Sequence, residues 1–147
     1  MGLLYGLCKV HKPTVDGSPP FRPILSAIDT PTYNLAKFLV PYLTPLGKNE
    51  YTVADSFCFA REIQKQDSRL FMASLDVNSL FTNIPLGETV DICCDTLFQG
   101  HDVIDKMSKA DFKELLTLAT HQSYFTFDGN VYQQIDGVAM GSHLGPG

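Results

Sequence analysis

Ser74-Leu75-Asp76-Val77-Asn78-Ser79-Leu80-Phe81 closes an apolar run that begins at Leu70. A run this short and this apolar reads as a buried strand, Leu70 to Asp76. It ends on one carboxylate, Asp76, and a ring, Phe81, follows five residues later. A charge at the tip of a buried strand is costly unless a cation or hydrogen-bond donors meet it. A divalent metal would satisfy it, and the ring could wall a substrate pocket. An acid that caps the following turn is the plainer alternative.

The flanks predict a mixed α+β chain. Residues 3–12 read as extended, 13–20 (P-T-V-D-G-S-P-P) as a turn region, and 21–28 as a strand that Pro23 confines to an edge or a start. Together they predict a hairpin. Asp29-Thr30-Pro31 opens a helix with Leu35, Phe38, Leu39 and Leu43 on one stripe, which Pro41 and Pro45 should kink or end. Further helices are expected over 55–66, over 87–98 (Val90, Cys93, Cys94, Leu97) and from Ser108 (Phe112, Leu115, Leu116, Ala119). Y-F-T-F-D-G-N-V-Y-Q-Q-I alternates around Asp128-Gly129, a strong hairpin signal. The last stretch, 136–147, is Gly-rich and reads as a loop.

With 147 residues the chain is one domain at most, or part of one. No run approaches a membrane span, the N-terminus lacks a signal-peptide pattern, and Gly6 breaks the myristoylation pattern after Gly2. Cys8, Cys58, Cys93 and Cys94 lack CxxC spacing and read as reduced, mostly buried thiols of an intracellular protein. Cys8-x-x-His11 is half a zinc site with no second half, and is rejected. The net charge of −5 divides unevenly, +2 over residues 1–69 and −7 over 70–147. A basic front could grip phosphates and an acidic back could hold metals; a random surface gives the same split.

Three segments carry the candidate chemistry. Arg22 follows the basic turn of Lys9, His11 and Lys12, and its planar fork suits phosphate oxygens; a solvated surface arginine is the alternative. Asp76 with Phe81 suits metal-assisted phosphoryl transfer beside a sugar, against an ordinary core Phe. Gly137 to Pro146 supplies small residues that let backbone approach a base or sugar, against a flexible loop.

In order along the chain, Y-G-L-C-K-V-H-K-P, F-R-P-I-L-S, P-T-Y-N-L-A-K, L-D-V-N-S-L-F-T-N-I-P and I-D-G-V-A-M-G-S resemble the reverse transcriptase of Penelope-like retroelements. The resemblance covers nearly all of the chain. It implies a right-hand polymerase fold, with fingers over about 1–69 and partial palm over about 70–147. It also implies RNA-directed DNA synthesis with two Mg²⁺ ions, an RNA template, a DNA primer, deoxynucleoside triphosphates, and the nucleus as the place of work. By the same resemblance Asp76 is the metal-binding acid and Val77 lends a carbonyl. Phe81 is the steric gate and Arg22 binds triphosphate. Lys9, His11 and Lys12 face template or phosphate, and Met140, Gly141 and Ser142 contact the incoming nucleotide. This chain has His143 and Gly145 where the family pattern has Pro and Ser, and Cys8 where it tends to have Pro. It contains no Asp-Asp pair, so the aromatic-x-Asp-Asp hairpin of the palm is not in it. Glu88, Asp91 and Asp136 have no defensible position as substitutes. One carboxylate where a two-metal site wants about three predicts a fragment inactive alone. The alternatives are a non-catalytic RNA-binding remnant or a translated fragment without function.

Overall fold

The computed structural model describes residues 1–14 and 16–145; Val15, in the expected turn, and Pro146 and Gly147, at the end of the expected loop, lie outside the described residues. The fold is mixed α+β: a four-stranded sheet beside a small cluster of helices.

β1 (Gly2–Cys8) and β2 (Phe21–Ser26) form the expected antiparallel hairpin, from Leu3 opposite Ser26 to Cys8 opposite Phe21. β2 is an edge of the sheet, as Pro23 requires. Residues 23 and 25 turn their backbone nitrogens the same way. The Leu25 amide points outward, so the amide that Pro23 lacks costs no ladder bond to β1. At the C-terminal end, β5 (Tyr124–Phe127) and β6 (Asn130–Gln133) turn at Asp128-Gly129, both at positive φ, as the hairpin signal predicts. β1 and β5 pair in parallel, Gly2 with Phe125 and Leu3 with Thr126, giving the order β2-β1-β5-β6.

The helices build the core. α1 (Tyr33–Leu43) starts two residues beyond Pro31, contains Pro41, and passes into a 3-10 turn at Pro45. α3 (Leu86–Leu97) and α4 (Lys109–His121) bury Val90, Cys94, Phe112, Leu116 and Ala119 against Leu39 and Phe98. The rings of Tyr42 and Phe98 meet Phe112 edge-on, at 5.8 and 5.7 Å between centroids. The cysteines are less buried than expected, with Cys94 buried, Cys58 and Cys93 partly buried and Cys8 exposed, because Cys8 ends an edge hairpin and Cys58 lies on the outlying helix Ser56–Gln64; burial pushes the Cys93 and Cys94 thiols up. Lys109–Asp95 and Lys113–Asp91 join α3 to α4 at the surface, where water screens such pairs and they add little to stability.

α4 begins with a complete capping box. The Ser108 hydroxyl accepts from the Asp111 amide, and the Asp111 carboxylate accepts from the Ser108 amide. The Ser108 hydroxyl also donates to that carboxylate, and this bond first, with the one from the Ser108 amide, holds the Asp111 carboxyl below its ordinary value. A depressed carboxylate stabilises the fold above its unfolded pKa, and that contribution disappears as pH falls through the folded value. Ser108→Ala should cost about 1 kcal/mol, read as a lower urea midpoint at unchanged slope. It should also reduce the loss of stability on acidification.

Two local features differ from expectation. β3 (Val103–Ile104) and β4 (Met107–Ser108) make a miniature hairpin ahead of α4. Its turn residues Asp105 and Lys106 both take positive φ, and lysine carries no sequence signal for that. The Tyr42 hydroxyl donates to Asp105 and fastens the turn to α1, which raises the Tyr42 pKa.

The second difference overturns the opening expectation: Leu70 to Asp76 is not a strand and is not buried. Leu75 is 96% exposed, and Leu70, Phe71 and Met72 are exposed as well. No described residue makes a backbone hydrogen bond with 71–77. A continuous apolar run makes a strand only with neighbours on its edges and cover on both faces. Here the Met140 carbonyl meets the outer edge of β2, and the run reaches neither β2 nor β6. α2 (Ser56–Gln64), capped by the Asp55 carboxylate, forms as expected but buries no residue; Phe57 and Phe59 are exposed. The whole chain exposes 11,188 Å². A compact monomer of this mass exposes roughly 7,500 Å². Much of the excess lies in 48–77, where α2 and the apolar run stand clear of the core.

Candidate functional site

The motif splits at Asn78. Before it the chain is open; after it the backbone closes into a tight turn. Ser79 takes a left-handed φ of 53° and starts a 3-10 turn, Leu80–Thr82. The Asn83 side-chain amide donates to the carbonyls of Asn78 and Ser79, and the Thr82 hydroxyl donates to the Ser79 carbonyl. These bonds fix where Phe81 sits.

The loop after β6 closes onto that turn. The Val138 amide donates to the Phe81 carbonyl at 2.7 Å. Gly137, at φ +69°, allows this approach: a Cβ there would overlap the Phe81 carbonyl oxygen and stand 2.7 Å from Thr82 Cα. Gly141 plays the same part against β2, where a Cβ would meet the Leu25 carbonyl oxygen at 2.5 Å. Beside it the Leu25 amide donates to the Met140 carbonyl at 2.9 Å. The Phe81 ring lies against Gly145. His143 packs its ring on Tyr33, 4.7 Å between centroids, and Leu144 reaches the helical core. The Gly-rich stretch is therefore a seam that ties sheet, turn and helices together. Its small residues serve close approach of the chain to itself, which composition alone could not distinguish from approach to a ligand.

A cleft of about 430 Å³ opens between this seam and one face of the sheet. Phe81 and Thr82 wall one side, and Leu4, Pro23, Leu25 and Phe125 form the floor. Met140 and the segment from Gln133 to Asp136 close the rest, with Asp136 as the one carboxylate in the lining. Gln134 donates its side-chain amide to the Asp136 carbonyl, which holds that segment in place. The cleft is mostly apolar with a few polar groups at its rim, the usual character of a small-molecule site.

Of the residues singled out in the sequence, the structure brings Phe81 and Met140 together in this cleft. Gly141 sits next to it, and Ser142 lines a separate cavity of about 20 Å³ between sheet, α1 and α4, room for one water. Arg22 is exposed on β2, opposite Leu7, and is not in the cleft lining. Lys9 is half-buried, and His11 and Lys12 are exposed, at the turn end of the β1–β2 hairpin. Asp76 and Val77 lie on the open segment, with no hydrogen bond or ion pair to any described residue. The floor residues Leu4, Pro23, Leu25 and Phe125 were not anticipated. Their signal was the alternation of the two hairpins, but which strands become neighbours is not written locally.

Among the described residues no three His, Cys, Asp or Glu side chains come together where they could hold a metal ion. Asp76 is a solitary carboxylate, so the residues present do not compose a two-ion site, and no catalytic step follows through Mg²⁺. Comparison with protein families, with curated proteins and with solved structures returned no match.

Proposed function

We propose that this chain is the nucleotide-binding portion, fingers and N-terminal palm, of an RNA-directed DNA polymerase of the Penelope-like kind. The observation that carries the reading is the cleft in which Phe81 and Met140 meet, although they lie far apart in sequence. A ring beside a mostly apolar cleft suits the edge of a deoxyribose, because a 2′-hydroxyl there would lose its water without gaining a partner. The Asp136 carboxylate at the rim would repel phosphate, so the sugar and base would enter and the phosphates would remain outside. Under this reading Asp76 and Val77 would be one carboxylate and one carbonyl of a Mg²⁺ site that the described residues do not complete. RNA template and DNA primer are the partners this reading requires.

The non-catalytic reading, an RNA-binding remnant, is favoured by one observation: Asp76 stands alone. The 147-residue chain is accordingly expected not to extend a primer with Mg²⁺ present. Extension that disappears in Asp76→Asn would overturn the solitary-carboxylate argument. The cleft is tested separately by photo-cross-linking an azido-deoxynucleoside triphosphate. Label on peptides containing Phe81 or Met140 is expected, with a preference over the ribonucleotide that falls about tenfold in Phe81→Ala. Label spread over the surface, or equal preference in the parent chain, would sink the assignment.

A further inference from the structure

The four-stranded sheet has two edges, and one of them is open. On β2 the outer edge is blocked: Pro23 has no amide to offer, and the Leu25 amide is given to the Met140 carbonyl. On β6 nothing blocks it. The Gln134 amide donates back to the Ser123 carbonyl. Hydrogen bonding alternates along an antiparallel pair, so Tyr132 and Asn130 also turn their backbone groups to β5, while Val131 and Gln133 turn theirs outward. Those outward groups meet no described residue. Sheet proteins ordinarily guard such an edge with a charge, a proline or a bulge. Asn130-Val131-Tyr132-Gln133 has no charge and no proline, and all four residues are exposed.

The chain also carries the counterpart. Leu70-Phe71-Met72-Ala73-Ser74-Leu75 is uncharged, holds no Pro or Gly, and from Phe71 onward makes no backbone hydrogen bond to a described residue. An open edge and an unpaired strand-former satisfy each other, with main-chain bonds along the edge and apolar side chains buried on either side. Within one copy the two do not meet. Each copy offers one of each, so two copies related by a two-fold axis leave neither over. Neither segment bears a charge that would select an ionic partner instead. The surface is there as well. The excess over a compact monomer is roughly 3,700 Å² per copy. Two copies therefore carry ample uncovered area for the ~2,000–5,000 Å² that an obligate homodimer buries.

We infer that this chain forms a homodimer by reciprocal strand addition, residues 70–75 of each copy pairing with the β6 edge of the other. Alternation turns Phe71 and Leu75 to one side of the added strand and Leu70 and Met72 to the other. Both sides then cover apolar surface at the edge, beside Val131, 58% exposed, and Tyr132, 45% exposed. The pairing is independent of the polymerase reading and survives its failure.

Sedimentation velocity of the 147-residue chain across the micromolar range is expected to show a monomer–dimer equilibrium. Ser74→Pro removes an amide from the run, and Val131→Pro copies onto β6 the block that Pro23 places on β2. Neither amide is bonded within one copy, so each variant should keep the monomer folded. Each should raise the dimer dissociation constant at least about tenfold. Phe57→Ser, exposed on α2, should leave it unchanged. A photoreactive residue at Met72 of an unlabelled chain, mixed with an isotope-labelled chain, is expected to capture the labelled peptide that contains 130–133. That readout needs no proline variant to fold. A monomer at every concentration, a constant unmoved by both prolines, an equal loss in Phe57→Ser, or capture confined to the same copy or to other peptides would overturn the exchange. Assemblies that grow without limit would overturn its two-fold closure.

Discussion

Phe112→Ala is expected to unfold most of the chain at room temperature. The ring is fully buried, touched edge-on by Tyr42 and Phe98, and packed among Leu39, Val90, Cys94 and Leu116. Truncating a buried Phe costs about 3–5 kcal/mol, for lost transfer energy and for the cavity left behind. A small domain has only about 5–15 kcal/mol in total. This one spends much of its apolar composition on surface, so it should stand at the low end. The expected result is loss of the cooperative urea transition, or a midpoint lowered by more than half. Phe112→Leu fills part of the space and should retain a transition. A Phe112→Ala chain as stable as the parent would mean that the helical cluster is not what holds the fold.

Gly137→Ala is expected to open the cleft while the helical core survives. The added methyl meets backbone, the Phe81 carbonyl and Thr82 Cα, rather than a side-chain tip that could swing aside. The residue also occupies positive φ, where a Cβ brings its own strain. The cheapest relief is for the 136–145 loop to leave the Phe81 turn, breaking the hydrogen bond from Val138. Hydrogen exchange should then show the Val138 amide losing protection, with Leu116 and Phe112 on α4 unchanged. Nucleotide cross-linking at Phe81 should fall at the same time. If the Val138 amide stays protected, the seam is softer than the geometry indicates, and the cleft does not depend on it.

Much of this could be read from residues close in sequence. The Asp128-Gly129 turn specifies its hairpin, Pro23 announces an edge strand, and the Ser108–Asp111 box starts α4 where expected. Each signal acts within a few residues of itself. The failures are non-local. Leu70–Leu75 has the composition of a buried strand, but composition states only what the segment needs and not whether a neighbour is there to supply it. The same holds for the site. Phe81 was legible as an aromatic near an acid, yet its partner turned out to be the Gly137 backbone, while Asp76, five residues away, faces water. Arg22 and Phe81 were expected in one place, and strand alternation puts Arg22 on the other face from the cleft floor.

The parallel contact of β1 with β5 sets the order in which the molecule can assemble. Hairpin β1–β2 needs only the first 26 residues and can close within microseconds. Its other edge must wait for Phe125 and Thr126, nearly the whole chain later. Closing so long a loop costs little more free energy than closing one half its length, but it slows the search. During synthesis, therefore, the N-terminal hairpin exists for a time as a two-stranded ribbon with both edges open. Any chaperone or sister strand that holds it does so in that interval, and the sheet becomes complete only when its second hairpin arrives.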